Sequence, residues 1–409
     1  MRGRPLLYTS YEADQAIFPT GTQKLALAAL LVLMLLIPLQ VIPGLSFLGE
    51  DEWLNVLVRA MIFCIGALGL TLLTGLAGQV SLGHAFFMGV GAYTAVILGG
   101  QGTDSLWGLG LPIWIWLPAA GLVPALIGAI IAPAALRVRG LYLAFVTLGL
   151  VFIGEHFFRT LGFITGGPGL GRDWPDLAVR VWKEEEALID FSTEGTWLGI
   201  ELSARAKAFY PILLLLILFA LVAKNLSRTR LGRAFMAIRD RDIAAEIMGV
   251  SEARHKAVAF AMSSFFAGVA GALLASFFRI IIPEFWNLFL SVQMIAIILI
   301  GGASLTTGAI LGSAFLIGLP KVVEELTEFL VGQVNEGGPL KPIADLLITQ
   351  GDDFGLISLQ PGGSGLSLFQ LNIALYGLFI ILFLIFEPLG LFGIWIRIRN
   401  YFKAWPFSY

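Results

Sequence analysis

Apolar runs of about 20 residues recur along the whole chain, and each is long enough for an α-helix to cross the hydrocarbon core of a bilayer. By that rule about ten spans are expected, near 25–43, 54–74, 79–100, 113–135, 140–158, 208–226, 256–278, 286–303, 305–323 and 368–392. Backbone N–H and C=O groups find no water in lipid, so each run must satisfy its own hydrogen bonds as a helix. The expected fold class is therefore an all-α polytopic membrane protein. Composition agrees, with 57% hydrophobic and 13% charged residues where soluble domains carry about 25% charged, and a mean hydropathy of +0.86. A net charge of −2 leaves no basic excess for nucleic acid. Cys64 is the one cysteine, which excludes an intrachain disulfide or a thiolate metal site. The first run starts after Lys24 and meets no small-x-small cleavage pattern near Pro43, so it is read as a retained helix and not a signal peptide.

Lysine and arginine sort to one side of the membrane, as orientation by cytoplasmic loops requires. Arg2, Arg4 and Lys24, then Arg137 and Arg139, then Arg397, Arg399 and Lys403 all fall on that side, and the loop from Lys224 to Lys256 adds eight basic residues. Glu50, Asp51 and Glu52 lie opposite, as do seven acidic residues between Glu324 and Asp353. Both termini are therefore expected in the cytoplasm. The expected layout is a cytoplasmic lead 1–24, a transmembrane domain 25–398, and a cytoplasmic tail 399–409. The domain would contain extracytoplasmic loops 159–207 and 324–367 and a cytoplasmic loop 227–255. Loop 159–207 is less biased, with six basic and eight acidic residues, and its "KEEEALID" run at 183–190 reads as a solvated outer face.

Across the junction of the second and third runs, "GLAGQVSLGHAFFMGVGAY" (75–93) sets five glycines beside Gln79, Ser81 and His84. Irregular backbone at membrane depth is tolerated only against protein or a water-lined path, and a broken helix offers free N–H and C=O groups to a polar solute. Two readings stay open. In one, Gly78, Gln79, Ser81, Gly83 and His84 form a break beside a translocation path and hydrogen-bond the solute. In the other, Gly75, Gly78, Gly83, Gly89 and Gly91 let helices approach closely, with Ser81 as a small interface residue. A fainter echo, "GGASLTTGAILGSAF" at 301–315, carries Gly308 and Gly312.

Charges inside spans cost about 2.5–3.5 kcal/mol at a helix centre, so each needs an account. Glu155 and His156 can bind a zwitterionic solute, pair with Arg159 one turn on, or reach headgroups; Glu155 is thus a further candidate for the path. Arg59 can snorkel outward. Arg279 and Glu284 bracket a break and can form an ion pair there, and Glu387 has a structural position near the cytoplasmic end.

The stretch "SRTRLGRAFMAIRDRDIAAEIMGVSEARHK" (227–256) places Asp242 as a possible N-cap, pairs Ile243 with Ile247 and Ala244 with Met248, and ends at Gly249. It reads as a short amphipathic surface helix, suited either to anionic lipid through its arginines or to a groove on another protein. The run "LGRAFMAIRDRDIAAEIMGV", with "GLAGQVSLGHAFFMGVGAYTAVIL", "RVRGLYLAFVTLGL", "TGGPGL" and "FEPLGLFGIWIRIR", resembles the permease subunit of branched-chain amino-acid ABC importers of the LivM type. The resemblance runs from about residue 54 to 398. It implies a ten-helix permease of the type II importer-like class in a prokaryotic inner membrane. Its partners would be a LivH-like permease, two ATP-binding subunits and an extracytoplasmic binding protein, and its substrates leucine, isoleucine and valine. It also implies that 240–249 is a coupling helix, with Arg239, Asp240, Asp242, Ala244, Ala245, Glu246 and Gly249 meeting the ATPase. The general importer pattern there is Glu-Ala-Ala, three residues, then Gly. This chain has Ile243 in the glutamate's place, so Asp242 or Glu246 is expected to replace it.

No G-x-x-x-x-G-K-[ST] phosphate loop occurs in the chain, so ATP and Mg²⁺ are expected only on partner subunits. His84, His156 and His255 have no metal-ligand spacing, and no nucleophile stands beside a base. Other readings are an importer of urea, short amides or other amino acids, an ion-coupled secondary transporter, and a structural membrane subunit. The secondary transporter would want carboxylates near mid-span, and each Glu lies near a span end. The structural subunit leaves the surface helix unexplained.

Overall fold

The long apolar runs are helices, and one of them is too short to cross by its helix alone. The computed structural model describes residues 21–404 apart from 104, 138–140, 170, 183–186, 198–199, 304–305, 337–340, 342–346, 350–356, 359–365 and 388. Nearly all of the expected cytoplasmic lead, half of the 183–190 run and most of 337–367 lie outside the described residues. In chain order the helices are α1 (Gly21–Leu36), α2 (Asp51–Leu70), α3 (His84–Gly99), α4 (Ile113–Arg137), α5 (Leu141–Thr160) and α6 (Ala204–Leu226). There follow α7 (Arg230–Ile247), α8 (Glu252–Phe278), α9 (Leu288–Gly301), α10 (Thr306–Glu336), α11 (Leu368–Phe386) and α12 (Gly390–Ala404). Among the described residues nine segments are long and apolar enough to span, against the ten expected. The exception is α3, whose 16 residues cover only about 24 Å, because residues 79–83 stay out of the helix.

Two other boundaries differ from the sequence reading. Helix α10 continues to Glu336, well past the expected end at 323, because nothing in its sequence breaks the helix there and even Pro320 is absorbed. The last apolar run ends at Phe386, where Glu387 leaves the helical region (φ −137, ψ 73) and Gly390 starts α12 at φ +64. Glu387 there forms an ion pair with Arg397, so its role is structural as expected.

Helix α8 is the central element, packed by α2, α3 and α4. Small residues make that possible: a methyl group at Gly91 would collide with the backbone of Gly268, and one at Gly271 with the backbone of Met88. In lipid, such close backbone approach replaces the hydrophobic drive that water supplies elsewhere. Helices α1 and α11 sit at the periphery with no buried residue. On the face opposite α7, Arg172 ties the connecting segments together by donating from Nη1 to the carbonyls of Trp107 (2.9 Å) and Ile164 (2.8 Å). Arg172–Asp173 also pairs antiparallel with Ile280–Ile281 just after α8.

Candidate functional site

Helix α2 passes without interruption into a π-helical turn, Thr71–Leu76, started where the Thr71 hydroxyl donates to the Ala67 carbonyl at 2.9 Å. Such side-chain back-bonding bends helices, and π turns collect at functional positions. The 26 residues of this combined segment cover about 39 Å, more than the hydrocarbon core of about 30 Å. The segment is therefore long enough to cross the core before it breaks. It turns at Gly78 (φ +69), where any side chain would be strained and a methyl group would lie 2.5 Å from Arg239 Cγ. It then climbs back, unwound, to the start of α3 at His84.

Side chains from two other helices take one amide of the unwound stretch and one from the first turn of α3. Leu82 N donates to Thr147 Oγ1 of α5 at 2.9 Å and Ala85 N to Ser291 Oγ of α9 at 3.0 Å, while Gly83 N turns to Ser81 Oγ at 3.2 Å. Gln79 is 4% exposed, and Ser81 and His84 are 1% exposed. Among the described residues, neither amide atom of Gln79 nor Nδ1 of His84 has a hydrogen-bond partner. His84 Nε2 stands 3.5 Å from Ser263 Oγ of α8. A buried amide left unpaired costs about 1–3 kcal/mol, and Gln79 carries that cost in this structure. The five glycines divide by role: Gly78 makes the turn, Gly89 and Gly91 permit packing, Gly75 offers its carbonyl, and Gly83 fits under Thr147.

The loop helix α7 is two helices joined at a kink, where Arg241 is extended (φ −157, ψ 98). Arg241 thereby occupies the capping position before the second piece; Asp242, the expected N-cap, is its first helical residue and accepts from Ile243 N at 2.8 Å. The piece closes at Gly249, φ +86, with Gly249 N on Glu246 O and Val250 N on Ala245 O, both 2.9 Å. Ala245 is buried against the protein, while Ile243, Ile247 and Met248 are exposed, the last two at 80% and 83%. The apolar pairs therefore point away from this chain. Asp240, Ala244 and Glu246 are exposed with them, and Asp242 partly so.

Arg239 turns the other way. Its Nη1 donates to the carbonyl of Gly75 at 2.8 Å, its Nε pairs with Asp240 at 3.0 Å, and its stem covers Gly78. A guanidinium suits the end of a helical segment, where carbonyls lack intrahelical donors and the dipole is negative. One side chain thus joins the kinked surface helix to the break in the membrane domain.

Glu155 is not in this cluster. It bonds Arg159 at 2.7 Å, and Arg159 reaches Glu284 at 3.5 Å. The expected pairing of Arg279 with Glu284 does not form: Arg279, in the left-handed region at φ +66, donates instead to the Ser192 carbonyl. In the 301–315 echo, Gly301, Gly308 and Gly312 bring α9 and α10 into backbone contact. Sequence reasoning missed Thr147, Ser263 and Ser291, because one or two hydroxyls in an apolar run form no local pattern to mark them. Among the described residues no group of three or more His, Cys, Asp or Glu side chains is placed to hold a metal ion.

Residues 53–344 match the family described as "Branched-chain amino acid transport system / permease component". The chain is 34% identical over 315 residues to the high-affinity branched-chain amino acid transport system permease protein LivM of Salmonella typhimurium, covering 76% of this chain and 71% of that protein, and equally to LivM of Escherichia coli. It is 25% identical over 292 residues to the ribose import permease protein RbsC of Haemophilus influenzae, covering 71% of this chain and 81% of the relative. No solved structure matches the chain.

Proposed function

The chain belongs to the branched-chain amino acid transport permease family, and from that premise we propose that it is one permease half of an importer in the cytoplasmic membrane of a prokaryote. It carries leucine, isoleucine and valine delivered by an extracytoplasmic binding protein. Its partners are a second, LivH-like permease and two ATP-binding subunits that hold ATP and Mg²⁺. Both termini and α7 face the cytoplasm.

The observation that carries the mechanism is the Arg239 bridge between the surface helix and the break. ATP-driven closure of the motor subunits displaces the exposed Ile243, Ile247 and Met248, the Arg241 kink acts as the hinge, and Arg239 passes the shift to Gly75 and Gly78. The unwound stretch, with Gln79, Ser81 and His84, then changes partners and opens or closes the path. A solute meeting Gln79 satisfies an amide that has no partner among the described residues, so passage is favoured without a deep pocket. Selectivity rests mainly on the binding protein.

The test is uptake of labelled leucine, urea and ribose by matched strains with and without this gene. Loss of leucine uptake alone supports the reading. Loss of urea or ribose uptake instead keeps an importer and moves its substrate, and no change in any of the three overturns the transport assignment for these solutes.

A further inference from the structure

Arg59 lies nine residues into α2 and does not reach for the surface. Its guanidinium sits over the Phe278 ring, 5.5 Å from the centroid, and its Nε is buried without a hydrogen-bond partner among the described residues. No Asp or Glu among the described residues pairs with it. An aromatic face offsets only part of the cost of a desolvated cation, so an anion beside the guanidinium would be favoured. Arg59 also forms one wall of a cavity of about 260 Å³, with Phe63, Phe278, Gln293 and Tyr376 among the others. Asn287, at the rim, spends its own amide on Leu290 N and the Glu284 carbonyl, and the Gln293 amide pairs with the Tyr376 hydroxyl, so Arg59 is the charged group left to a guest. Phe289 and Phe369 line the cavity and are exposed, which opens it sideways between α2, α9 and α11.

We propose that this cavity binds an amphiphile with an oxyanion head, the carboxylate or phosphate lying on Arg59 and the apolar body against Phe63, Phe278 and Tyr376. A planar guanidinium fits either oxyanion with two parallel hydrogen bonds. The volume lies just below the roughly 300–1,000 Å³ of pockets for drug-sized ligands, so it suits one small solute or one headgroup. Two sources share this chemistry: a free apolar amino acid, which rests on the import reading above, and an anionic phospholipid, which does not.

The experiment uses the full-length chain, purified with whatever subunits accompany it. Its thermal midpoint is followed against phosphatidylglycerol and against neutral diacylglycerol, and binding of labelled leucine is competed with leucinol, which replaces the carboxylate by an alcohol. Under the amino-acid source, leucinol competes at least about tenfold more weakly than leucine and Arg59→Gln weakens leucine by a similar factor, the loss expected for a charge-assisted pair. Under the lipid source, phosphatidylglycerol raises the midpoint, diacylglycerol does not, and Arg59→Gln removes the shift. Arg59→Lys keeps the charge and restores part of either effect. If leucinol matches leucine and diacylglycerol matches phosphatidylglycerol on the wild type, the proposal is overturned, even where no variant folds. Wild-type uptake separates the two readings: an Arg59-dependent lipid shift without leucine uptake sinks the import assignment alone, and uptake with no Arg59 dependence in either probe sinks this site alone.

Discussion

Gly78 and Gln79 are neighbours with opposite physical demands. Gly78 holds a positive φ under the Arg239 stem, so Gly78→Ala incurs the left-handed penalty of about 1–2 kcal/mol plus a steric shift. It should lower the thermal midpoint of the purified protein and reduce uptake; an unchanged midpoint would show that the turn is not held as described. Gln79→Ala removes an amide that is buried and unpaired, so it should leave the midpoint level or raise it. If the amide serves the solute, leucine uptake falls while the amount of protein in the membrane stays constant. A lowered midpoint with unchanged uptake per molecule would mean that Gln79 packs and does nothing more. The glycine-rich composition of 75–93 marked this stretch in the sequence, and the side-chain candidates Gln79, Ser81 and His84 are all buried at it. The hydroxyls that hold the stretch were not legible, since Thr147, Ser263 and Ser291, which meet Leu82 N, His84 Nε2 and Ala85 N, come from three other helices and only tertiary packing brings them close.

At the scale of elements, α7 shows what periodicity can and cannot give. The i,i+4 apolar pairs and Gly249 located the second piece of the helix correctly. The kink fell at Arg241, one residue ahead of the expected cap, because the extended backbone there lets Asp242 start the helix as its first residue. No pattern revealed that Arg239, one residue from exposed Asp240, points inward to Gly75. Its direction follows from where the preceding helix Arg230–Asp240 lies against the π turn, which is a tertiary fact. Two predictions separate the ends of this element. Asp substitutions at Ile247 and Met248 put carboxylates where an apolar docking surface is proposed, and a hot spot of that kind is worth about 2 kcal/mol or more. Co-purification of the ATP-binding subunits should fall sharply, while the permease still reaches the membrane. Arg239→Gln should leave that assembly and basal ATP hydrolysis intact but remove a hydrogen bond from a charged donor, worth about 1.5 kcal/mol at this partly exposed position. Uptake per ATP hydrolysed should then drop, with partial rescue in Arg239→Lys. Loss of assembly in Arg239→Gln would place the residue at the docking surface and not at the bridge.

For the whole molecule, hydropathy located all ten apolar segments, and the composition alone identified a membrane protein. It could not tell that α3 is a 16-residue helix hung beneath an unwound strand, because apolar residues that pack against protein and those that face lipid read alike. Peripheral α1 and α11 and central α8 are similarly apolar, yet the first two bury nothing while α8 is largely enclosed. What differs is size: α8 is rich in Gly and Ala, which the close approach at Gly268 and Gly271 requires. Sidedness is the remaining global property, and the charge bias of the shorter loops predicts Leu231 of α7 inside and, across the membrane from it, Leu188 of the 159–207 loop outside. Both side chains are exposed, whereas the one native cysteine, Cys64, is buried and gives no background to a water-soluble maleimide. In intact cells Leu188→Cys should therefore label and Leu231→Cys should not, and the order should reverse in inside-out vesicles. The opposite pattern would put α7 on the outer face, beyond reach of any cytoplasmic ATPase, and the coupling mechanism would fall with it even though the helices themselves were placed correctly.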